Sequence, residues 1–497
     1  MSRVFAISSS IPKSLVQLLL IVFGGAGGAF IGLASAQGRL LLVTFVFIVG
    51  MGLVGLLLVS GSLSTLPFRE ILRWGFLVML PAATVGSIVA WPTLRTLSAF
   101  RLLYLGLCVC GPTWLLLKRR FSVKIEVGGF VLFLAFWVVW SLGSLTWAVD
   151  KLAGVRYCIF LVMMSSLSIG TVLALNSVKT VRVVLLMLLL VFLLAIGIGL
   201  IEIVTDFRLP TSGLIGRPER YQWAVTSFFH NQNDFATYIA LWLPFVLAAA
   251  FFTTRRSVLV PAAAVCALLS IFCLLYTGSR TNLLALALAI PSLLLIIAAR
   301  RRTSIKSWQV VPGLIILFGA AWAVYLGISG SLPLLTLPET GIQHWRFDTL
   351  GSEIAAGAGS GGSRINLVTN GLTTLRDAYL LGVGPGNAEY HLQRMPGTEE
   401  VYNLHNWWME ILVNGGIPAF AGYLLFYAAL LYKLFQVAVE AESGILAYAG
   451  TSLFAALVGY TFGAVSPSSA IHFTPMWIHF GLSLAVIDLY GKRETGA

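Results

Sequence analysis

Arginine and histidine residues at the ends of apolar segments are the groups in this sequence best suited to chemistry. Arg280 lies within YTGSRTN (276–282), Arg364 opens a polar stretch, and His405 stands just before another apolar segment. Arginine stays charged and pairs with phosphate through two parallel hydrogen bonds, and a neutral histidine accepts protons near pH 7. These residue types suit a phosphate-bearing lipid whose diphosphate leaves as a sugar hydroxyl attacks.

Other polar residues lie near these three in the sequence. Candidates for a supporting role are Arg217, Arg220, His230, Asn233, Asn406 and Glu410. Every candidate also has a purely structural interpretation. Arg280 can anchor a helix end at the lipid headgroups, Arg364 can be a solvated loop residue, and His405 or His230 can cap a helix. The chemical interpretation therefore depends on these residues meeting at one place.

The sequence offers little to a metal ion or a cofactor. It contains no Asp-x-Asp pair, so we expect no metal site and no cofactor, and the arginines must supply the counter-charge for a diphosphate. The glycine-rich segment GVGPGN (382–387) has no strand pattern before it and no lysine after it. It predicts tight turns rather than a phosphate-binding loop.

The composition indicates what must position these residues. Of the 497 residues, 58% are hydrophobic and only 10% are charged, whereas soluble globular proteins carry about 25% charged residues. A nucleic-acid partner is not expected, because lysine and arginine never cluster densely enough for a phosphate-tracking groove. We predict an all-α, polytopic integral membrane protein whose apolar helices cross a lipid bilayer.

The hydropathy pattern predicts about 14 transmembrane helices. The apolar runs lie near 14–35, 40–59, 74–91, 99–117, 127–147, 153–175, 183–204, 235–252, 258–276, 281–299, 309–328, 408–432, 445–465 and 472–490. The chain then divides into helices 1–7 (1–204), a first outer loop with helices 8–11 (205–328), a large loop (329–407), and helices 12–14 with a tail (408–497).

The distribution of basic residues predicts the orientation. Most of the 32 lysine and arginine residues fall in loops on one side, which assigns both termini to the cytoplasm. The long loops 205–234 and 329–407, with the candidate residues, then face outward. In the second loop, the glycine-rich stretch 357–363 predicts a flexible tether, and the segment 364–376 predicts an amphipathic helix. Long loops of this kind are usually functional or disordered.

Four motifs resemble one family of membrane enzymes. They are FFHNQNDFA (228–236), YTGSRTN (276–282), SRINLVTNGL with LLGVGPGN (363–387), and LHNWWMEILVNGGIPAF (404–420). Their order and outward placement resemble the O-antigen ligase and O-antigen polymerase superfamily, and the last motif is most similar to its teichuronic acid polymerase branch. The resemblance covers about 215–425.

The resemblance implies a metal-independent, GT-C-like glycosyltransferase in the bacterial plasma (inner) membrane. Its donor would be an undecaprenyl-diphosphate-linked oligosaccharide and its acceptor a glycan or glycolipid. Arg280 and Arg364 match the arginines implied to bind the diphosphate, His405 matches the histidine implied to activate the acceptor, and Asn233 matches an asparagine with a structural or positioning role. Polymerisation of repeat units is the first expectation.

Two alternatives remain open at this stage. One is a ligase that transfers the glycan to a lipid A core. The other is a lipid-linked glycan flippase or transporter, a class that places ionisable groups near the bilayer midplane and often has repeated halves. The predicted spans are nearly free of mid-membrane charge, and the polar groups collect at one face instead. This asymmetry favours an enzyme.

Overall fold

A computed structural model describes residues 68–85, 90–91, 94–98, 100–101, 104, 106, 127–205, 207–217, 223–253, 258–301, 359–396, 403–467 and 469–494. The chain divides into two compact units, Met1–Lys124 and Ile125–Ala497. The predicted runs 14–35, 40–59 and 309–328, and most of 99–117, lie outside the described residues. All described candidate residues belong to the second unit.

The described part of the first unit contains helix α1 (Phe68–Val85) and an antiparallel hairpin of β1 (Ala90–Trp91) and β2 (Leu94–Ser98). The hairpin differs from the all-α prediction, which extended the third run to residue 91. The sequence gives a physical reason, because Gly86 follows the helix and Pro92 separates the two strands. Glycine favours a helix end and proline favours a turn.

The described part of the second unit is helical throughout. Its elements are α2 (Gly128–Ser144), α3 (Lys151–Ala174), α4 (Val178–Thr205), α5 (Gln232–Phe252), α6 (Leu259–Leu275), α7 (Arg280–Arg301), α8 (Gly359–Asp377), α9 (Ala388–Leu392), α10 (Trp407–Glu440), α11 (Gly444–Gly463), a 3₁₀ turn (Ala470–His472) and α12 (Thr474–Glu494).

Six of these helices are long and apolar enough to cross a membrane, namely α3, α4, α5, α7, α10 and α11. The helices α2 and α6 are apolar but shorter. The prediction of a multi-pass helical membrane protein is therefore confirmed. The total of 14 helices, the GT-C-like architecture, the four-part division of the chain and the placement of the large loop between helices 11 and 12 stay predictions.

Helix α7, which begins at Arg280, packs closely along α11. A Cβ atom on Gly459 of α11 would lie only 2.7 Å from the carbonyl oxygen of Ala285, so small residues let the two backbones approach. At the other end of α7, Arg300 donates hydrogen bonds to the carbonyl oxygens of Ala438 and Ala441, at the end of α10. These contacts fix α7 against both α10 and α11.

Helix α8 carries Arg364 and lies against the start of α10. Its Leu367 belongs to a buried cluster with Leu404, Met409 and Val413, completed from α9 and the loop before it by Val383, Ala388 and Leu392. The helix begins at Gly359, so the prediction of a flexible tether over 357–363 is wrong from that residue onward. Each glycine costs a helix about 1 kcal/mol, and packing of α8 on this cluster offsets that cost.

The segment 380–387 forms backbone hydrogen bonds with α10 at a kink in that helix. Gly416 interrupts the helix with φ 70° and ψ −174°, which leaves backbone groups there without helical partners. The amides of Val383 and Gly384 donate to the carbonyls of Val413 and Asn414 at 2.9 and 3.1 Å. The glycine-rich motif therefore acts as a packing junction, and the prediction of tight turns there is confirmed.

Candidate active site

His405 is held in an unusual backbone conformation just before α10. Its φ is 47°, in the left-handed region, which side-chain-bearing residues adopt mainly where the surroundings impose it. The Asn403 side chain accepts a hydrogen bond from the His405 amide at 2.9 Å. Immediately after it, Asn406 caps α10 and Trp407 is buried, with its amide bound to the carbonyl of Ala464. Hydrogen bonds on both sides of His405 therefore hold its backbone in place.

The environment of His405 keeps its ring uncharged. Burial and, to a smaller extent, the positive charge of Arg364 lower the pKa of His405 to about 4, although a hydrogen bond to the backbone of Pro467 opposes the shift. The position of His405 just before an apolar segment does not predict this burial, which only the structure reveals. The Nδ1 atom is buried and has no hydrogen-bond partner among the described residues.

Arg364 lies beside both His405 and Arg280. Burial lowers the pKa of Arg364, and the charge of Arg280 lowers it further. Its Nη1 donates to the hydroxyl of Thr281 at 3.3 Å and to the carbonyl of Val465 at 3.1 Å. Both acceptors are uncharged. Two neighbouring cations with uncharged hydrogen-bond partners at Arg364 create a place where an anion is favoured.

Arg280 is the first residue of α7, and a buried polar network fixes this helix end. The Asn282 side chain contacts three hydroxyl groups, at 2.9 Å to Ser279, 2.9 Å to Ser466 and 3.2 Å to Thr237. These residues join α5, α7 and the segment after α11. The sequence analysis missed this network. The available signal was an asparagine placed two residues into an apolar run.

Of the supporting candidates, Asn406 caps a helix and Asn233 lies in the first turn of another. The Asn406 side chain accepts hydrogen bonds from the amides of Trp408 and Met409, so it is the N-cap of α10. Asn233 lies in the first turn of α5, and its carbonyl accepts a hydrogen bond from Thr237, the same hydroxyl that Asn282 contacts. Asn406 adjoins His405 directly, whereas Asn233 reaches the polar network only through its backbone.

The remaining loop candidates lie elsewhere. His230 is exposed, and its Nδ1 lies 3.1 Å from the carbonyl oxygen of Thr211. Arg217 is exposed in the same loop, and its amide donates to Leu214. No described contact joins either residue to Arg280, Arg364 or His405. Arg220 lies outside the described residues.

Glu410 is buried, one turn into α10, and its Oε2 accepts a hydrogen bond from the amide of Ala470 at 3.4 Å. It lines a cavity of about 280 Å³ that extends from α3 to the 3₁₀ turn. Other polar residues of this wall are Arg156, Glu389, Asn403, Asn414, Ser469 and His472. Arg280, Arg364 and His405 do not line this cavity, so the site has two neighbouring parts.

The fold and the site together define a multi-pass helical membrane protein with a partly buried cluster of two arginines and an uncharged histidine. Comparison with known proteins agrees with this class. Residues 264–424 match the family described as O-antigen ligase. This range includes Arg280, Arg364, His405 and Glu410 but not His230 or Asn233.

The chain is also similar to a protein of Bacillus subtilis (strain 168), the Teichuronic acid biosynthesis protein TuaE. The two are 29% identical over 375 residues, which cover 74% of this chain and 74% of that protein. The resemblance to the O-antigen ligase family is therefore confirmed as a similarity over 264–424, and the chain is also similar to a protein named for teichuronic acid biosynthesis.

Proposed function

We propose that this protein is a glycosyltransferase that moves a glycan from undecaprenyl diphosphate to a sugar hydroxyl of an acceptor. The observation that carries the proposal is the meeting of Arg280, Arg364 and His405, which lie far apart in sequence, at one partly buried place. A diphosphate fits the two arginines, because a planar guanidinium pairs with phosphate oxygens through two hydrogen bonds. Histidine beside them supplies a base.

In the proposed reaction, the acceptor hydroxyl oxygen forms a bond to the anomeric carbon of the donor sugar. The bond from that carbon to the diphosphate oxygen breaks, and undecaprenyl diphosphate leaves with the electron pair. His405 takes the hydroxyl proton, while Arg280 and Arg364 stabilise the charge of the departing diphosphate. A single direct displacement inverts the configuration of the anomeric carbon. The arginines serve in place of a metal ion.

The proposed setting is the extracytoplasmic face of the bacterial plasma membrane, with both termini in the cytoplasm. The excess of basic residues in the opposite loops supports this outward placement. The donor then meets the site from the outer leaflet, and the acceptor glycan approaches from outside the cell. No cofactor is needed for this chemistry.

Polymerisation of cell-surface polysaccharide repeat units is the favoured reaction. The similarity to a protein named for teichuronic acid biosynthesis supports it. Ligation of a glycan to a lipid A core is the second candidate, and the match of residues 264–424 to a family described as O-antigen ligase favours it. A flippase or transporter has no comparable support, since the described cations of this site lie at helix ends.

A product profile tests the proposal. Purified protein in lipid receives the undecaprenyl-diphosphate-linked repeat unit and no other acceptor. A ladder of lengthened glycans with released undecaprenyl diphosphate is the expected result. Transfer of one block only after a glycolipid acceptor is added would establish the ligase instead. Absence of transfer under both conditions, with cognate donor and acceptor, would contradict a transferase and leave the transporter.

A further inference from the structure

The polar cavity near His405 is not lined by Arg280 or Arg364, so the proposed diphosphate site does not account for it. We propose that this cavity, lined by Arg156, Glu389 and Glu410, is the subsite for the terminal sugar of the acceptor. The inference rests on the proposed function and names the place from which the attacking hydroxyl arrives. Three observations carry it.

The first observation is the order of contacts along the segment after α11. The carbonyl of Val465 accepts a hydrogen bond from Arg364. The backbone of Pro467 forms a hydrogen bond with the ring of His405, and Ser469 lines the cavity. Four residues of extended chain span at most about 14 Å. Along this segment, the contact to His405 therefore lies between the contact to Arg364 and the cavity wall. Direct displacement needs this order, because the attacking hydroxyl and the leaving diphosphate occupy opposite sides of the anomeric carbon.

The second observation is a physical link between the cavity wall and His405. The Asn403 side chain donates a hydrogen bond to Glu389 Oε1 at 2.8 Å and accepts one from the His405 amide at 2.9 Å. One amide thus joins a cavity carboxylate to the residue with left-handed backbone. A ligand hydroxyl group bound to Glu389 would therefore influence the position of His405 through the Asn403 side chain.

The third observation is the chemistry of the wall. The Glu389 carboxylate accepts hydrogen bonds from hydroxyl groups, the buried carboxyl group of Glu410 can exchange hydrogen bonds with them, and Arg156 donates hydrogen bonds. The rings of Tyr157 and Phe160 line the same space and offer apolar faces to C–H groups. The volume of about 280 Å³ is close to the lower end of small-molecule sites, roughly 300 Å³. The cavity therefore suits a terminal sugar rather than a long glycan or a lipid chain.

The test separates the two parts of the site with two probes. The first probe is the phosphate-free repeat-unit oligosaccharide, released from the lipid-linked donor by mild acid. The second is inorganic pyrophosphate. Dissociation constants for both are measured by calorimetry on the full-length protein in lipid nanodiscs. The variants are Arg156→Ala, Glu389→Ala and Glu410→Gln in the cavity, and Arg280→Lys and Arg364→Lys outside it.

Arg156 and Glu389 are exposed side chains, so their replacement leaves the packed core intact, and Glu410→Gln keeps the buried shape. Glu442→Gln is the matched control, because Glu442 is an exposed carboxylate beyond the far end of α10. We expect each cavity variant to weaken oligosaccharide binding at least about tenfold, the loss of one charged hydrogen-bond partner, without changing pyrophosphate binding. The control and the arginine variants retain oligosaccharide binding.

Oligosaccharide binding that is undetectable in the wild type, or unchanged in every cavity variant, would overturn the subsite. If pyrophosphate binding still depends on the arginines in that case, the proposed function stands without it. Weaker oligosaccharide binding in the arginine variants alone would assign the sugar to the donor part. If the dissociation constant for pyrophosphate is unchanged in both arginine variants, the result contradicts the proposed function itself.

Discussion

At the scale of single residues, the account depends on the protonation state of His405. An acceptor hydroxyl loses its proton to an imidazole only when the imidazole is neutral. Burial and the charge of Arg364 hold the pKa of this histidine near 4, well below the ordinary value of about 6.5. The residue is therefore neutral across the physiological range, at the cost of being a weaker base.

This pKa predicts the pH profile of transfer. Because protonation removes the base, activity falls as pH decreases through the pKa of the free enzyme. We expect kcat/KM to stay level from about pH 8 to pH 5 and to fall with an apparent pKa near 4. Initial rates in buffers of constant ionic strength measure it. An acidic limb centred near 6.5 would show that His405 titrates as an ordinary exposed histidine.

If the arginines bind the diphosphate through their planar guanidinium groups, replacing one with lysine should weaken donor binding even though the positive charge is kept. Arg364→Lys keeps the charge but removes the planar fork, so we expect donor binding to weaken by about 10- to 100-fold, the value of one charged hydrogen bond. Arg376→Lys, in the exposed last turn of the same helix, is the control. Donor titration of both variants measures the difference. Equal affinities would remove Arg364 from the diphosphate site.

At the scale of elements, the kink of α10 and the segment 380–387 hold the two parts of the site together. Gly382 and Gly416 both have positive φ, and a Cβ atom on either would collide with the backbone of the other region. The close approach lets Gly384 and Val383 complete the hydrogen bonds that the kink leaves open. A side chain at this junction would separate α9 from α10 and disturb the cavity wall.

Gly416→Ala should accordingly destabilise the protein. The backbone of Gly416, at φ 70° and ψ −174°, is nearly confined to glycine and costs an alanine about 1–3 kcal/mol, and overpacking against Leu381 adds about 1–3 kcal/mol. Thermal unfolding of the detergent-solubilised protein measures the effect. Gly197→Ala is the control, since Gly197 lies inside α4 with no atom near its Cβ position, and alanine there should be neutral or stabilising. A Gly416→Ala variant as stable as the control would refute the junction.

Several of the described helices were predictable from sequence, because polar residues that favour helix ends bound their apolar runs. The run expected at 235–252 begins at Gln232, behind the Asn231 cap, and the run expected at 281–299 begins at Arg280. The helical start of α8 was not predictable in this way. Local glycine content indicated a tether, whereas burial of Leu367 in a long-range cluster determines the helix.

The meeting of Arg280, Arg364 and His405 could not be predicted from spacing alone. It depends on α8 docking against α10, which is tertiary packing between segments far apart in sequence. Only the resemblance to a family suggested it. The same argument explains why His230 was a reasonable candidate. Its residue type suits the chemistry, but the hydrogen bond to the Thr211 carbonyl and its exposed loop leave it outside the cluster.

At the scale of the whole molecule, the proposal requires the site to face away from the cytoplasm. Gln393 is exposed next to the cavity helix α9, and Glu442 is exposed beyond the end of α10. After replacement of the five native cysteines, we expect Gln393→Cys to react with an impermeant maleimide in intact spheroplasts. Glu442→Cys should react only after permeabilisation. The opposite pattern would invert the topology and contradict an extracytoplasmic reaction.

The most direct test of the central claim is the release of undecaprenyl diphosphate during a single turnover of saturating protein with the lipid-linked repeat unit. We predict that His405→Ala slows release by about 100- to 10,000-fold, the usual contribution of a general base, while donor affinity is unchanged. His230→Ala changes an exposed residue whose described hydrogen bond is to the Thr211 carbonyl, and this variant should release at the wild-type rate. Wild-type rates of release from His405→Ala would contradict the role of His405 as the base.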